Sequence, residues 1–335
     1  MKGALFYWVA LALAAGALPT ASWTQPVAED ARHWLERMLQ STRTLSYEGT
    51  FIYVQGPHIE AMRIVNSGGG TESPQRRRLF SLSGPPREIV VANNSVICLL
   101  PKQHTTFVGS EYSSSPFPLS IPRELGRLES HYALEMMGED RVAGIDAQVI
   151  AIKPRDAWRF GYRLWLDRQN GMVLRSALLD EKGYPVEQLM FTDLQVKPRI
   201  EDAAFASPAG AATETGLNPK GVDAPVSERV TQSIWRIDQL PEGFSKVSHN
   251  RFTKAPGRHP TEHLVFADGL ATISVFVEKL DGTSPPLQGS SHRGSMNTFG
   301  TVVNGHQILV IGEAPAATVQ RIAVSIQPDS EVGKP

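Results

Sequence analysis

The residues of this chain that could do chemistry are few and poorly spaced for it. His259 and His263 are four apart with Glu262 between them. On a helix that spacing would aim two imidazoles at one metal ion, but Pro260 and the strand pattern that follows oppose a helix. Ser290, Ser291 and His292 set hydroxyls beside an imidazole in a Gly- and Ser-rich loop. Adjacent residues seldom form a nucleophile-base pair, and the nucleophile-elbow pattern is missing. Gly68 to Gly70 lacks the Lys-Ser step and the helix that turn a glycine loop into a phosphate cradle. His33, His58, His104, His131 and His306 stand singly, while Glu139-Asp140 and Asp180-Glu181 fall at turns, where carboxylates are solvated. No catalytic residue, metal site or cofactor is suggested.

Charge is equally uninformative about chemistry, and that narrows the partners. Thirty-three Lys and Arg face 34 Asp and Glu, for a net charge of -1 over 335 residues. No global basic field invites nucleic acid. The triplet Arg76, Arg77, Arg78 reads as a solvated strand edge, with an anion or lipopolysaccharide phosphate contact as the alternative. Cys98 is the only cysteine, so no intramolecular disulfide can form; Val96, Ile97, Leu99 and Leu100 around it imply a buried, inert thiol.

Lys2, the apolar run Ala4 to Leu18 and the small residues Ala17, Ala21 and Ser22 have the layout of a secretory signal peptide over residues 1–21. No cysteine follows as a lipid acceptor, and no later run is long enough to span a bilayer. The mature chain is therefore expected to be soluble and exported, with no membrane span after cleavage.

The elements that would position any site are mostly strands. Thr24 and Pro26 mark a helix start, and Val27, Ala31, Trp34, Leu35, Met38 and Leu39 follow at helical spacing. Tyr47, Phe51 and Tyr53 then share one face of a strand. The Pro- and Ser-rich stretch Ser113 to Pro122, with Phe117, Leu119 and Ile121, reads as a lid over a sheet. From Trp158 to Leu194 three apolar runs are separated by Asn170-Gly171 and Asp180 to Gly183, predicting an antiparallel meander. In its first run Trp158, Phe160, Tyr162, Leu164 and Leu166 form the apolar face, with Arg159, Arg163 and Asp167 on the wet one.

Residues 22–195 make a first domain, 196–227 a linker without apolar periodicity, 228–327 a second domain and 328–335 a tail. In the second domain Asp268-Gly269 and Asn304-Gly305 each suit a two-residue hairpin turn, and Pro315 to Ile326 carries a helical pattern. The fold class is α+β, mostly β. Tyr47, Phe51, Tyr53, Trp158, Phe160, Tyr162 and Leu164 are candidates for a lipid cleft, although self-packing alone would explain them.

The stretch VAGIDAQVIAIKPRD from Val142, with RFGYRLWLDRQNGMVLRSALLDEKG from Arg159, resembles the MucB/RseB family. SYEGTFIY from Ser46, LPEGF from Leu240 and FADGLATISVFVEKL from Phe266 extend the resemblance into both domains. Gln169-Asn170-Gly171 stands where the family commonly has Thr-Gly, and Ser113 to Pro122 and the linker match poorly. The resemblance implies a LolA/LolB-like unclosed antiparallel half-barrel with helices on its concave face, plus a smaller antiparallel sheet-and-helix C-terminal domain. It also implies a periplasmic regulator of the sigma-E (AlgU) envelope-stress response. Such a protein binds the periplasmic domain of a RseA/MucA-type anti-sigma factor, shields it from a DegS-type protease, and is released by lipopolysaccharide or another lipid ligand. Leu240, Pro241, Gly243, Phe244, Phe266 and Phe276 are then candidates for partner binding. A periplasmic lipid or lipoprotein carrier is the alternative and an exported hydrolase a third; the sequence leaves a homo-oligomer open.

Overall fold

A computed structural model describes residues 30–69, 75–92, 95–100, 105–109, 125–205, 227–231, 233–253, 259–282 and 285–329. The expected signal peptide over residues 1–21, the expected helix start at Thr24 to Val27, the stretch Ser113 to Pro122, most of the expected linker and the Cys98 side chain lie outside that description.

The first sheet has eleven antiparallel strands. They are β1 (Ser46–Gln55), β2 (His58–Ser67), β3 (Arg76–Ser81), β4 (Glu88–Ala92), β5 (Ser95–Leu100), β6 (Thr105–Gly109), β7 (Tyr132–Val142), β8 (Ile145–Pro154), β9 (Gly161–Asp167), β10 (Val173–Leu179) and β11 (Pro185–Lys197). Their spatial order runs from β6 back to β1, then from β11 back to β7, so β1 pairs with β11 and the sheet ends at β6 and β7 without closing. Helix α1 (Ala31–Thr44) starts at Asp30, whose carboxylate accepts the His33 N–H at 2.8 Å and satisfies a first-turn donor. Its apolar stripe of Trp34, Leu35, Met38 and Leu39 and the Leu125 and Leu128 of α2 (Leu125–His131) cover Ile150, Ile152, Tyr162, Leu164 and Leu166 of the sheet. Arg37 donates to the carbonyls of Arg168 and Gln169, and Ser41 to that of Asn170, so the β9–β10 turn also anchors α1.

Three expectations about this domain need correction. The strand predicted from Trp158 begins only at Gly161, because Trp158 to Phe160 belong to a bend held by the Asp156 carboxylate, which accepts the Trp158 N–H at 3.0 Å. The face read as wet is not: Arg159 is fully buried and Asp167 nearly so, the latter accepting from Gln169 N–H and the Asn170 amide. Nor is Arg76 to Arg78 a solvated edge, since β3 lies between β2 and β4. Arg78 pairs with Glu88 at 2.7 Å and donates to the Ala204 carbonyl, while Arg76 pairs with Asp202 at 2.6 Å and lies over the Phe205 ring. Two of the three arginines thus clamp the segment after β11 onto the sheet.

The second domain contains β12 (Ser227–Arg229), β13 (Trp235–Ile237), β14 (Ser245–Phe252), β15 (Thr261–Ala267), β16 (Thr272–Lys279), β17 (Gly289–Arg293), β18 (Met296–Val303), β19 (His306–Gly312), α3 (Ala316–Val324) and β20 (Ile326–Pro328). Seven strands form a sheet in the order β12-β14-β15-β16-β19-β18-β17, and β13 and β20 make a separate ribbon. Val319, Ile322 and Ala323 of α3 pack on Ile273, Val275, Val277, Ile308 and Val310. Asn304 and Gly305 both take positive φ in the expected two-residue turn. Asp268-Gly269 does not make such a turn. Ala267 pairs with Thr272, leaving a four-residue loop in which the Asp268 carboxylate accepts the N–H groups of Leu270 and Ala271 at 2.9 and 2.8 Å.

Candidate functional site

Among the described residues, two clusters of polar side chains lie where the domains meet. Arg159, in the bend before β9, reaches into the second domain with its whole guanidinium engaged. Nη1 donates to Asp268 Oδ2 at 2.8 Å, Nη2 to the Glu242 carbonyl at 2.5 Å, and Nε to Asp156 Oδ1 at 3.0 Å. Tyr132 OH donates to the same Asp268 oxygen at 2.9 Å, and the rings of Tyr132 and Phe244 flank the cation at 5.6 and 5.2 Å. A buried charge is tolerated only when paired and hydrogen-bonded, which this arrangement achieves from both domains. Burial and the Asp268 charge push the Tyr132 phenol upward, so it remains a neutral donor. The Thr318 hydroxyl of α3 donates to the Trp158 carbonyl at 2.9 Å, and Arg321 lies over the Trp158 ring.

A second polar cluster joins β11 to the segment after β19. Ser295 Oγ lies 2.7 Å from Glu187 Oε2 and 3.0 Å from Glu313 Oε1, and Tyr162 OH is 3.3 Å from Glu313 Oε2. Burial, then the Glu187 charge, raises the Glu313 carboxyl above its ordinary value, against the hydrogen bonds from Ser295 and Tyr162. Backbone shape matches these contacts: Gly243 has φ +87° and no side chain because the His131 ring occupies the space a Cβ would take.

The seven cleft candidates fall into two groups. Tyr47 and Phe51 are buried with Ile64, Leu79, Met172, Leu189 and Phe191, and Tyr53 packs at the margin. Phe160, Tyr162 and Leu164 lie beneath α1 and α2, while Trp158 is half-buried at the junction. The Tyr47 hydroxyl and the Trp34 indole N–H are buried without a protein partner. A cavity of about 510 Å³ opens beside this sheet, between the bend 154–159 and the turn 180–183, lined by Arg155, Asp156, Arg163 and Lys182 over Gly161.

Of the partner candidates, Phe244 and Phe266 are buried in the second core with Leu240 against it, and Pro241 and Gly243 belong to the turn seated on the first domain. Phe276 points away from α3 and stacks on His263 at 4.3 Å with the rings 5° from parallel. His263 therefore lies on the opposite face from Glu262, which accepts from His249 and Arg251, and His259 is exposed at the end of the sheet. Among the described residues no group of three His, Cys, Asp or Glu gathers as metal ligands, and Ser290, Ser291 and His292 lie exposed along the edge strand β17.

Sequence reasoning missed Arg159, Asp268, Glu187 and Glu313. Arg159 alternates with aromatics as a solvated strand residue would, and Asp268-Gly269 imitates a turn. Only the unusual flanking of an arginine by Trp158 and Phe160 was a signal.

A sheet with one helix-covered face, joined through buried polar contacts to a smaller sheet-and-helix unit, defines a two-domain β-rich binding protein. Residues 30–209 match the MucB/RseB N-terminal domain and residues 229–327 the MucB/RseB C-terminal domain. The chain belongs to the MucB/RseB family. It is 30% identical to the sigma factor AlgU regulatory protein MucB of Pseudomonas aeruginosa, across 97% of this chain and 98% of that protein. The solved complex of Pseudomonas aeruginosa MucA and MucB superposes with a TM-score of 0.72 at 29% identity, covering 90% of this chain and 99% of the matched one. A crystal structure of MucB without a named partner superposes at 0.61 and 28% identity, covering 89% and 98%. Among the described residues no helix is long and apolar enough to cross a membrane.

Proposed function

We propose that this protein is a periplasmic regulator of the envelope-stress sigma factor response, binding the periplasmic region of a RseA/MucA-type anti-sigma factor and protecting it from regulated proteolysis. The observation that carries the reading is the full-length match, in both domains, to MucB, a protein solved together with MucA. Phe276, on the face away from α3, and the turn Leu240 to Phe244 at the junction are the proposed partner contacts. Release follows when a stress lipid occupies the aromatic interior of the first sheet, where Tyr47 presents a buried hydroxyl without a protein partner.

Calorimetry with the periplasmic segment of the same organism's anti-sigma factor, followed by proteolysis of that segment in the presence of the protein, tests the reading. Binding with slowed cleavage, reversed by lipopolysaccharide, is expected. Absence of binding, together with lipid that copurifies with the chain, would instead favour a lipid or lipoprotein carrier.

A further inference from the structure

The contact of Ser295 with two carboxylates poses a donor-counting problem. Ser295 is buried, and its single O–H can be donated to Glu187 or to Glu313, yet oxygens of both lie within hydrogen-bond distance, at 2.7 and 3.0 Å. Both contacts are full two-centre hydrogen bonds, and not one O–H shared between two anions, only if one carboxyl carries a proton of its own and gives it to the serine oxygen. The other groups facing the pair do not remove this need. Tyr53 and Gln55 of β1 approach Glu187, Tyr162 of β9 approaches Glu313, with Tyr132 behind it, and Glu60 of β2, near Tyr53, is itself paired with Arg87. Apart from Arg87, which is held by Glu60, every titratable group named here is an acid or a phenol. Glu187 belongs to the first domain, and Ser295 and Glu313 to the second.

We propose that the Glu187–Ser295–Glu313 contact is a one-proton switch: the two domains take up a proton when they close on each other here and release it when they part. The proton resides on Glu313, whose carboxyl is raised by burial and by the facing Glu187. The sign follows from that direction. A carboxyl raised in the closed arrangement favours closure fully below its ordinary value, and the contribution is lost as the pH rises through the closed-state value. Gln55, which donates to Glu187, also fills the space a Cβ on Gly294 would need, so Ser295 is delivered to the pair by a turn already pressed against the first domain. The inference concerns closure of the chain itself and is independent of the partner proposed above.

The test uses the full chain carrying a donor and an acceptor dye, one per domain, followed from about pH 4.5 to about pH 8.5, together with carbon-13 carboxyl spectra of glutamate-labelled protein. Closure should weaken by up to about tenfold per pH unit where the proton leaves. One glutamate signal, lost in Glu313→Gln, should titrate above the ordinary range. Glu313→Gln should stay closed across the range, because its amide N–H replaces the shared proton. Glu187→Gln, which alters the other domain and guards against one variant failing to fold, should also lose the pH dependence. Constant energy transfer in the wild type, or an unchanged pH response in both variants, overturns the proposal. Closure restored at high pH by calcium chloride alone also overturns it, since the carboxylates would then be holding a cation.

Discussion

Arg159 Nη1 lies 2.8 Å from Asp268 Oδ2 across the domain junction, and neither side chain has any exposed surface. The same Asp268 oxygen takes the Tyr132 hydroxyl, while the other oxygen organises its own loop through the Leu270 and Ala271 N–H groups. One carboxylate therefore folds a hairpin loop and fastens two domains.

Removing Arg159 leaves the Asp268 carboxylate buried and uncompensated, while removing Asp268 leaves Arg159 only its ion pair with Asp156 at 3.0 Å and strips the Asp268 loop of an acceptor. Asp268→Ala and Arg159→Ala should each cost about 3–5 kcal/mol. The double variant should cost well under the sum, because the second removal takes away the stranded charge. Calorimetric unfolding of the three variants measures this, and additive losses would show that the pair is not coupled.

Close approach of backbone to ring at Gly243 makes a steric prediction. Gly243→Ala pays roughly 1–2 kcal/mol for a side chain at positive φ, plus the collision of its Cβ with His131. Adding His131→Ala should relieve the collision and leave the backbone strain. Denaturant midpoints of the single and double variants check whether stability recovers in part.

The Tyr47 hydroxyl, buried with no protein partner and with its phenol pushed up to about 12 by burial, contributes a desolvation cost and no matching bond. Tyr47→Phe is expected to leave stability unchanged or raise it by up to about 1 kcal/mol. If this interior holds a lipid, the same variant should weaken lipid binding. A loss of stability in urea unfolding would mean that the hydroxyl has a protein partner after all.

Phe244 and Phe276 separate core from surface within the candidate partner site. Phe244→Ala empties part of the second core and removes a ring beside Arg159, for a cost of about 3–5 kcal/mol. Phe276→Ala, on the outer face, should cost less than about 1 kcal/mol yet weaken an anti-sigma segment roughly tenfold or more. Equal stability losses for the two, or unchanged affinity for Phe276→Ala, would remove Phe276 from the site.

Local rules made much of this molecule legible. Period-two alternation placed Tyr47 and Phe51 on an inner strand face, the 3.6-residue stripe from Trp34 to Leu39 made a one-sided helix, and Asn304-Gly305 supplied its turn. Each is decided by residues close in the chain. Arg159 and Asp268 were misread by the same rules, as a wet strand residue and a turn residue, because their partners lie 109 positions apart. Likewise, nothing local marks Glu187 or Glu313 as facing each other across a shared serine. The sequence by itself determined the two sheets, their helices and the family. Which charges are buried was decided only by the docking of one domain on the other, since burial and pairing are properties of the assembled junction and not of any segment.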